Sequence, residues 1–486
     1  MKFTAGAAAI LTIAGIANSA ARPSHGVAVQ QEIAVEHNLL YYTVIRNHPD
    51  PPMSLVDQMA RRHVPGVSIA VIHNGKIEWA KAYGVTKLGG PPVTPETIFG
   101  AASMSKPLTA MAVLQLAQEG RIDLDRNVND YLKSWKLPEN QYTVRKKVTV
   151  RELLSHTSGI GTHNGAIYNP AKGIPTVLQI LNGEKPATTP PVRVEAEPGS
   201  KYAYANGGYL ILELLITEIS GKPFAQYMQD AILRPLGMTH STFAAPLPPE
   251  KAAQAATGYW ENGKDGISPA NFVEPNAAAG GLWTTASDYA RFVIELTDEY
   301  SGKSHLILNQ TTARMMVTAG MGPSKNMRWG LGVRVGGSAP DIYFEHGGSA
   351  LYQCDMVGYV KGEGVVVLTS GGGGGLLTDE IVRSVAHVYG WPDFQPVERT
   401  MAAVDPAIYN GLVGTYDFIK VTREGDKLMA EIPLGSQRQE LVPESPTHYF
   451  LRGGPTDIVF DIGPSGRATG LEFVTSMVHW HKDRTQ

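Results

Sequence analysis

The sequence predicts an α/β protein in which N-terminal and C-terminal segments build one sheet around a large helical insertion, with a small all-β domain after it. Apolar, β-branched runs typical of strands occupy residues 66–72 and 77–83, and they return at residues 330–335, 342–345, 351–360 and 364–370. Between about residues 103 and 320, Leu- and Ala-rich stretches such as 111–118 and 209–219 predict helices. A sheet interrupted in this way forms a cleft at its border with the insertion, where ligand sites often lie.

Turn residues support two of these elements. Asn74 and Gly75 separate the first two strand-like runs, and an Asn-Gly pair in that place favours a tight hairpin. The glycine run at residues 371–375 follows a predicted strand and precedes a helix predicted for residues 378–388. It lacks the Gly-Lys-Ser or Gly-Lys-Thr ending of a phosphate-binding loop, so we interpret it as a permissive turn.

Three segments are predicted along the 486 residues. Lys2, an apolar stretch at residues 5–16 and small residues at 17–21 have the composition of a secretory signal peptide, which is predicted for residues 1–21. The main domain is predicted for residues 30–395. From about residue 400 to 486, short strand-like runs alternate with Gly and Pro, which predicts a small β-barrel-like accessory domain. The leader indicates a periplasmic or secreted protein with no stable membrane anchor.

Composition argues against a nucleic-acid partner, an intramolecular disulfide and a bound metal or cofactor. The chain has 42 basic and 45 acidic side chains without a long run of like charge, so no nucleic-acid partner is expected. Its one cysteine, Cys354, rules out an intramolecular disulfide and is expected to be a small buried hydrophobic residue of a strand. The 14 histidines show no His-Glu-x-x-His spacing, so the sequence predicts no metal and no cofactor.

The strongest chemical signal is Ser103-x-x-Lys106, at the start of a nearly all-apolar helical run. Residues three apart lie on one face of a helix, so the Lys106 ammonium can reach the Ser103 hydroxyl. A serine nucleophile needs an adjacent base, and either a desolvated lysine or a tyrosinate stabilised by cations can serve. Alone, the motif also fits a serine helix cap with a lysine one turn later.

Two further motifs follow in order. Tyr204-x-Asn206 supplies a second proton-transfer candidate, and His346-Gly347-Gly348-Ser349 is the third element. In this order the three motifs resemble those of the penicillin-recognising serine hydrolases, which include class C β-lactamases, D-alanyl-D-alanine carboxypeptidases, D-aminopeptidases and related carboxylesterases. The resemblance extends from about residue 55 to 390, and similar family signatures occur at residues 148–160, 235–238 and 280–288.

The resemblance implies a β-lactamase-like antiparallel sheet flanked by helices, and it implies catalytic roles. Ser103 would be the acylated nucleophile, with Lys106 and Tyr204 as the proton-transfer pair. Tyr202 is a competing aromatic, but it precedes Ala-Tyr rather than Ala-Asn, so the role goes to Tyr204. We expect His156 to be a buried, hydrogen-bonded residue rather than a base.

The resemblance also implies a substrate-binding set. Asn206 would orient the substrate amide, and His346 stands where many members carry Lys on the strand that lines the cleft. Gly348 belongs to the same motif. The oxyanion hole would consist of the backbone N–H groups of Ser103 and Ser349, which stabilise the tetrahedral intermediate.

The third motif departs from the Lys-Thr-Gly pattern of most β-lactamases at two positions. His346 is only partly charged near neutral pH and Gly347 has no side-chain donor, whereas Lys and Thr suit a substrate carboxylate. The sequence therefore predicts a hydrolase of peptide or amide bonds, including those of peptides with D-amino acids, with slow or no β-lactam turnover. The alternatives are a carboxylesterase and a non-catalytic penicillin-binding or scaffold protein. The expected partner is a small-molecule or peptide substrate, and the oligomeric state stays open.

Overall fold

The structure is a computed structural model, and it describes residues 25–161, 165–260, 263–325, 327–432, 436–475 and 479–485. The predicted signal peptide, residues 1–21, lies outside the described residues and stays a prediction. None of the helices in the described ranges is long and apolar enough to cross a membrane.

Helices and strands alternate irregularly along the described chain. In chain order, its α-helices are α1 (His25–His37), α2 (Leu55–Arg61), α3 (Ser105–Gln118), α4 (Val150–Leu154), α5 (Val177–Asn182), α6 (Asn206–Ser220), α7 (Phe224–Met228), α8 (Pro249–Ala252), α9 (Ala277–Gly280), α10 (Ala286–Ser301), α11 (Gln310–Met316), α12 (Gly375–Val388) and α13 (Tyr409–Leu412). The strands before residue 400 are β1 (Thr43–Ile45), β2 (Gly66–His73), β3 (Lys76–Gly84), β4 (Phe99–Gly100), β5 (Gly258–Tyr259), β6 (Gly266–Ile267), β7 (Trp283–Thr284), β8 (Arg328–Trp329), β9 (Arg334–Gly336), β10 (Tyr343–Ser349), β11 (Gln353–Tyr359), β12 (Gly364–Thr369) and β13 (Val397–Arg399). The later strands are β14 (Gly414–Tyr416), β15 (Ile419–Glu424), β16 (Lys427–Ile432), β17 (Ser436–Pro443), β18 (His448–Leu451), β19 (Asp457–Ile462), β20 (Ala468–Val474) and β21 (His479–Asp483).

One antiparallel sheet runs through the described chain in the order β3-β2-β12-β11-β10-β9-β8. Its first two strands precede the helical insertion and the others follow it, as the sequence predicts. Side chains of β12 alternate between two cores. Val366 and Leu368 pack with the insertion, whereas Val365 and Val367 pack with α12 on the other face. Burial on both faces explains why these strands read as continuous apolar runs.

The hairpin between β2 and β3 forms where the Asn-Gly pair predicts it. Asn74 and Gly75 both have positive φ, +53° and +71°, which is the backbone of a type I′ turn. The strands pair from Gly66 with Gly84 to His73 with Lys76. The hairpin brings the N-terminal part of the chain into the sheet beside β12.

The prediction of a single strand over residues 330–335 is wrong. Two short strands, β8 and β9, flank a turn instead, and Arg328 pairs with Val335. Gly332 has φ +86° in that turn, and a Cβ atom there would overlap the Cβ atom of Ala110 in α3. The backbone therefore turns because it packs directly on the helix that follows Ser103.

The C-terminal strands β14–β21 form an antiparallel meander with a core of its own, which includes Tyr416 and Tyr449. The N–H of Thr485 donates to the carbonyl oxygen of Thr415 at 2.8 Å, so the chain after the last strand returns to the first. The meander is therefore barrel-like, and the predicted all-β C-terminal domain is confirmed. Gly453 of this domain lies against Leu376 in the first turn of α12.

Candidate active site

Ser103 lies in a single 3₁₀ turn directly before α3. Its Oγ atom is 3.0 Å from the Nζ atom of Lys106, one helical turn further on. Ala102, the residue before the serine, has φ +44°, a conformation that costs energy for any residue with a side chain. Ser105 holds this turn in place, because its hydroxyl donates to the carbonyl oxygen of Ala102 and accepts from the N–H of Leu282.

Lys106 is fully buried. Besides Ser103, its Nζ atom contacts the carbonyl oxygen of Ala279 at 2.9 Å. Burial lowers the pKa of Lys106, because an ammonium loses its hydration there, and the carboxyl of Glu274 opposes this shift. The arrangement favours a neutral amine beside the serine hydroxyl.

Glu274 is a member of the site that the sequence motifs do not include. Burial raises the pKa of its carboxyl, and the charge of Lys106 acts in the opposite direction. Its Oε2 atom is buried and has no hydrogen-bond partner among the described residues. A Cβ atom at Gly280 would overlap the carboxyl, so the glycine makes room for it. A glutamate five residues before a carbonyl that binds lysine carries no recognisable sequence signal.

Tyr204 lies beside both Ser103 and Lys106. Its hydroxyl contacts the Ser103 side chain, and its ring centroid is 4.9 Å from the Nζ atom of Lys106. Burial raises the pKa of Tyr204 above its usual value, so the phenol stays protonated. Tyr202 lines the same cleft and packs on Trp329, with ring centroids 5.5 Å apart.

Asn206 begins α6 and lines the cleft with Ser103. Its Oδ1 atom is buried without a hydrogen-bond partner among the described residues. Its backbone carbonyl accepts a long hydrogen bond, 3.4 Å, from the side chain of Asn276. An amide oxygen held in this state can accept a hydrogen bond from a substrate N–H group.

The strand β10 carries His346, Gly348 and Ser349 along the cleft. His346 is 4% exposed, and its Nδ1 atom is 2.7 Å from the carbonyl oxygen of Gly347. That contact assigns the proton to Nδ1 and leaves Nε2 as an acceptor. Burial, followed by the charge of Lys106, lowers the pKa of His346 to about 3, so its imidazole is neutral at neutral pH.

Gly348 sets how closely this strand approaches the nucleophile. A Cβ atom at Gly348 would overlap the carbonyl oxygen of Ala101, two residues before Ser103. Only glycine therefore allows β10 to lie against the nucleophile turn. Ser349 follows it in the strand, and its hydroxyl accepts from Gln353 of β11 at 3.0 Å.

His156 has the structural role that the sequence predicts. It is 1% exposed, and its Nδ1 atom accepts from the backbone N–H of Ala205 at 3.1 Å. Its ring packs on that of Tyr204, with centroids 4.3 Å apart. Burial holds the pKa of His156 well below its usual value. The residue supports the segment that carries Tyr204.

One cleft of about 690 Å³ joins these groups. The predicted site residues that line it are Ser103, Tyr204, Asn206, His346, Gly348 and Ser349. Lys106 lies buried behind Ser103. All seven predicted residues are therefore brought together, although their separate roles stay predictions. Two carboxyls that the sequence did not single out, Asp355 and Asp379, line the same cleft.

The comparison with known families agrees with this geometry. The family model described as Beta-lactamase matches residues 54–387. The chain belongs to the β-lactamase family. The predicted penicillin-recognising serine hydrolase and the predicted fold are thereby confirmed.

One curated protein and two solved structures are similar to this β-lactamase family member. "Penicillin-binding protein 4*" of Bacillus subtilis (strain 168) is 24% identical over 439 residues, which cover 84% of this chain and 93% of the relative. The octameric penicillin-binding protein homologue from Pyrococcus abyssi has a TM-score of 0.61 at 23% identity, over 88% of this chain and 98% of that one. The D-amino acid amidase from Ochrobactrum anthropi SV3, complexed with D-phenylalanine, has a TM-score of 0.57 at 20% identity, over 74% and 99%. The two structural likenesses show the fold.

Proposed function

We propose that this serine hydrolase cleaves peptide or amide bonds through an acyl-enzyme on Ser103, including bonds in peptides with D-amino acids. The observation that carries the proposal is the 3.0 Å distance between Lys106 Nζ and Ser103 Oγ, combined with the burial that lowers the pKa of Lys106. A neutral amine at that distance can accept the hydroxyl proton. The likeness to a D-amino acid amidase supports an amide as the substrate.

In the proposed reaction, Ser103 Oγ attacks the scissile carbonyl carbon while its proton passes to the Lys106 amine. The oxygen of the tetrahedral intermediate accepts from the backbone N–H groups of Ser103 and Ser349. The Tyr204 hydroxyl gives its proton to the leaving nitrogen and regains one from the Lys106 ammonium, and the carbon–nitrogen bond breaks. Water then attacks the acyl ester in the same way, which releases the acid and restores the serine.

Lys106, rather than a tyrosinate, is the proposed base. Burial raises the pKa of Tyr204, which favours the phenol, and it lowers the pKa of Lys106, which favours the free amine. Both shifts thus favour the protonation states that the first step requires, a phenol at Tyr204 and a free amine at Lys106. Tyr204 then acts as the relay between Lys106 and the leaving group.

The third motif supports slow or no β-lactam turnover. The imidazole of His346 is neutral, because burial lowers its pKa to about 3, and Gly347 offers no side-chain donor. A substrate carboxylate would find no permanent cation on this stretch of β10. An amide without a carboxylate near the scissile bond does not need one.

A substrate panel with wild-type protein and Ser103→Ala tests the proposal. The panel contains a fluorescent penicillin, D-amino-acid peptides and amides, and short p-nitrophenyl esters, and intact-mass spectrometry monitors the serine adduct. We expect amide cleavage and an adduct that Ser103→Ala loses, with activity lower by at least about a thousandfold. Ser301→Ala, at the end of α10, is the matched control and keeps both. Ester turnover without amide cleavage would indicate a carboxylesterase, and no adduct with any substrate would indicate a non-catalytic protein.

We also propose that the protein is exported to the periplasm or beyond. The support is the composition of residues 1–21, which have a positive start, an apolar stretch and small residues. Mass spectrometry of the protein recovered from an expressing bacterium should give a mature N-terminus near residue 22. An intact N-terminus in exported or cell-associated protein contradicts a cleaved signal.

A further inference from the structure

One wall of the cleft carries carboxyl groups. Asp355 of β11 and Asp379 of α12 both line it. Burial, followed by the charges of Glu345 and Asp379, raises the pKa of Asp355. Arg334 is the one cation among the described residues that line this cleft. Its guanidinium is already engaged, since its Nε atom is 2.5 Å from a carboxylate oxygen of Glu345. The wall therefore has carboxyl groups and no unpaired cation among the described residues that line the cleft.

Asp355 has an unused acceptor at this wall. Its Oδ1 atom is buried and has no hydrogen-bond partner among the described residues. A buried acceptor without a donor costs free energy, which a ligand that supplies a donor recovers. Asp379 complements it, because it lines the same cleft and is exposed to solvent.

Gly347 places no side chain beside that acceptor. Gly347 pairs with Asp355 across the ladder of β10 and β11. A Cβ atom at Gly347 would lie 4.0 Å from Asp355 Oδ1, so a larger side chain there would contact the oxygen and compete with a ligand for it. This is the position at which the Lys-Thr-Gly pattern has a threonine hydroxyl. The chain thus presents a carboxyl where that pattern presents a donor.

On the basis of the proposed function, we infer that Asp355 and Asp379 bind an ammonium group of the substrate, so that the enzyme prefers substrates with a free amine over neutral ones. An ammonium has three donors and a positive charge, which match a buried acceptor and a second carboxylate. A substrate carboxylate would instead meet two carboxyl groups. The ammonium can belong either to the acyl part or to the leaving group, and both are held by the same chemistry.

The neighbouring charges give the preference a pH dependence. Burial raises the pKa of both aspartates, so they are protonated at low pH and become ionised only as the pH rises. The attraction then lasts until the substrate amine itself loses its proton. The preference for an amine should therefore rise with pH across the titration of the aspartates. The charged groups that face the two aspartates are Glu345, Arg334, Arg383 and Arg62.

Two matched substrate pairs test the inference. An aminoacyl p-nitroanilide and its N-acetyl form differ by an ammonium on the acyl part. The acetate esters of 4-(aminomethyl)phenol and 4-ethylphenol differ by an ammonium on the leaving group at nearly equal shape. We expect kcat/KM to be higher for the cationic member by about tenfold or more in one pair, since a hydrogen bond to a charged group contributes this much. No preference in either pair overturns the inference.

Variants test whether Asp355 and Asp379 cause the preference for the cationic substrate. Asp355→Asn and Asp379→Asn keep the shape and remove a charge, and Gly347→Thr places a side chain beside Asp355 Oδ1, so each should reduce the cationic-to-neutral ratio toward one. Asp379 is exposed, so its variant tests the wall even if Asp355→Asn does not fold. Asp426→Asn removes an exposed charge of the C-terminal barrel and keeps the wild-type ratio.

The outcome separates this inference from the proposed function. Hydrolysis of p-nitrophenyl acetate with a Ser103 adduct, but with equal rates for both members of each pair, leaves the acyl-enzyme intact and rejects the ammonium subsite. An unchanged ratio in all three cleft variants also rejects it. If the wild-type protein shows neither turnover nor an adduct with any substrate, both the proposed function and the ammonium subsite are rejected.

Discussion

Lys106 and Glu274 are buried together beside the nucleophile, and the charge of each opposes the pKa shift that burial gives the other. Burial favours a neutral amine and a neutral acid, whereas their mutual attraction favours the ion pair. Glu274 therefore controls how much of Lys106 is present as the free amine that can accept the Ser103 proton.

Glu274→Gln should move the acidic limb of the kcat/KM profile to lower pH. Activity falls as the pH falls through the pKa of Lys106, because the ammonium cannot accept a proton. The carboxylate of Glu274 raises that pKa, so its removal lowers it further. The measurement is the pH–rate profile for p-nitrophenyl acetate, with Glu274→Asp as the control that keeps the charge. An unmoved limb in Glu274→Gln contradicts the coupling.

Tyr204→Phe should lower kcat by about 10²- to 10⁴-fold, the usual contribution of a proton-transfer group. The ring and its packing on His156 remain, so the loss reports the hydroxyl alone. Tyr202→Phe should cost far less, because Tyr204 is the tyrosine that contacts Ser103. Steady-state kinetics on one amide substrate compare the two. Equal losses would remove the distinction between the tyrosines.

Gly348→Ala should lower the free energy of unfolding by about 1–3 kcal/mol, as over-packing does elsewhere. The added methyl overlaps the Ala101 carbonyl oxygen, so β10 must move away from the nucleophile turn. Gly347→Ala is the matched control, since its Cβ atom would have its nearest neighbour at 3.6 Å. Urea unfolding followed by circular dichroism measures both. Similar midpoints for the two variants would show that the strand is free to shift.

His346→Asn should weaken the loss of stability in acid. The pKa of His346 is lowered from 6.5 to about 3, so below pH 6.5 the unfolded chain binds a proton that the folded chain does not. Stability from this group is present above pH 6.5 and falls as the pH drops toward 3, by about 5 kcal/mol at most. Thermal unfolding between pH 4 and 7 gives the slope, and an identical slope in the variant would falsify the assignment.

The fold could be predicted where local signals and the global structure agree. Asn74 and Gly75 adopt the positive φ angles of a tight turn, so the hairpin follows from the local sequence. Buried and more exposed side chains alternate along Lys427–Ile432, and this segment forms strand β16. The prediction of one strand over residues 330–335 failed because the turn at Gly332 depends on contact with Ala110. That residue is more than 200 positions away, and local periodicity carries no information about it.

The same distinction separates the site residues that the sequence predicted from those that it did not. Ser103, Lys106 and Tyr204 lie in motifs whose spacing carries chemistry, so the sequence identified them. Glu274 and Asp355 act through burial and through neighbours contributed by other elements. An isolated acidic residue has no pattern from which its surroundings could be read.

Cys354 has a practical consequence for chemical proteomics. The thiol is 3% exposed, its Sγ atom contacts the carbonyl oxygen of Gly100, and burial raises its pKa to about 12. It is the single cysteine of the chain and is held as an inert thiol. Cys354 is therefore not expected to compete with Ser103 for an electrophilic activity-based probe.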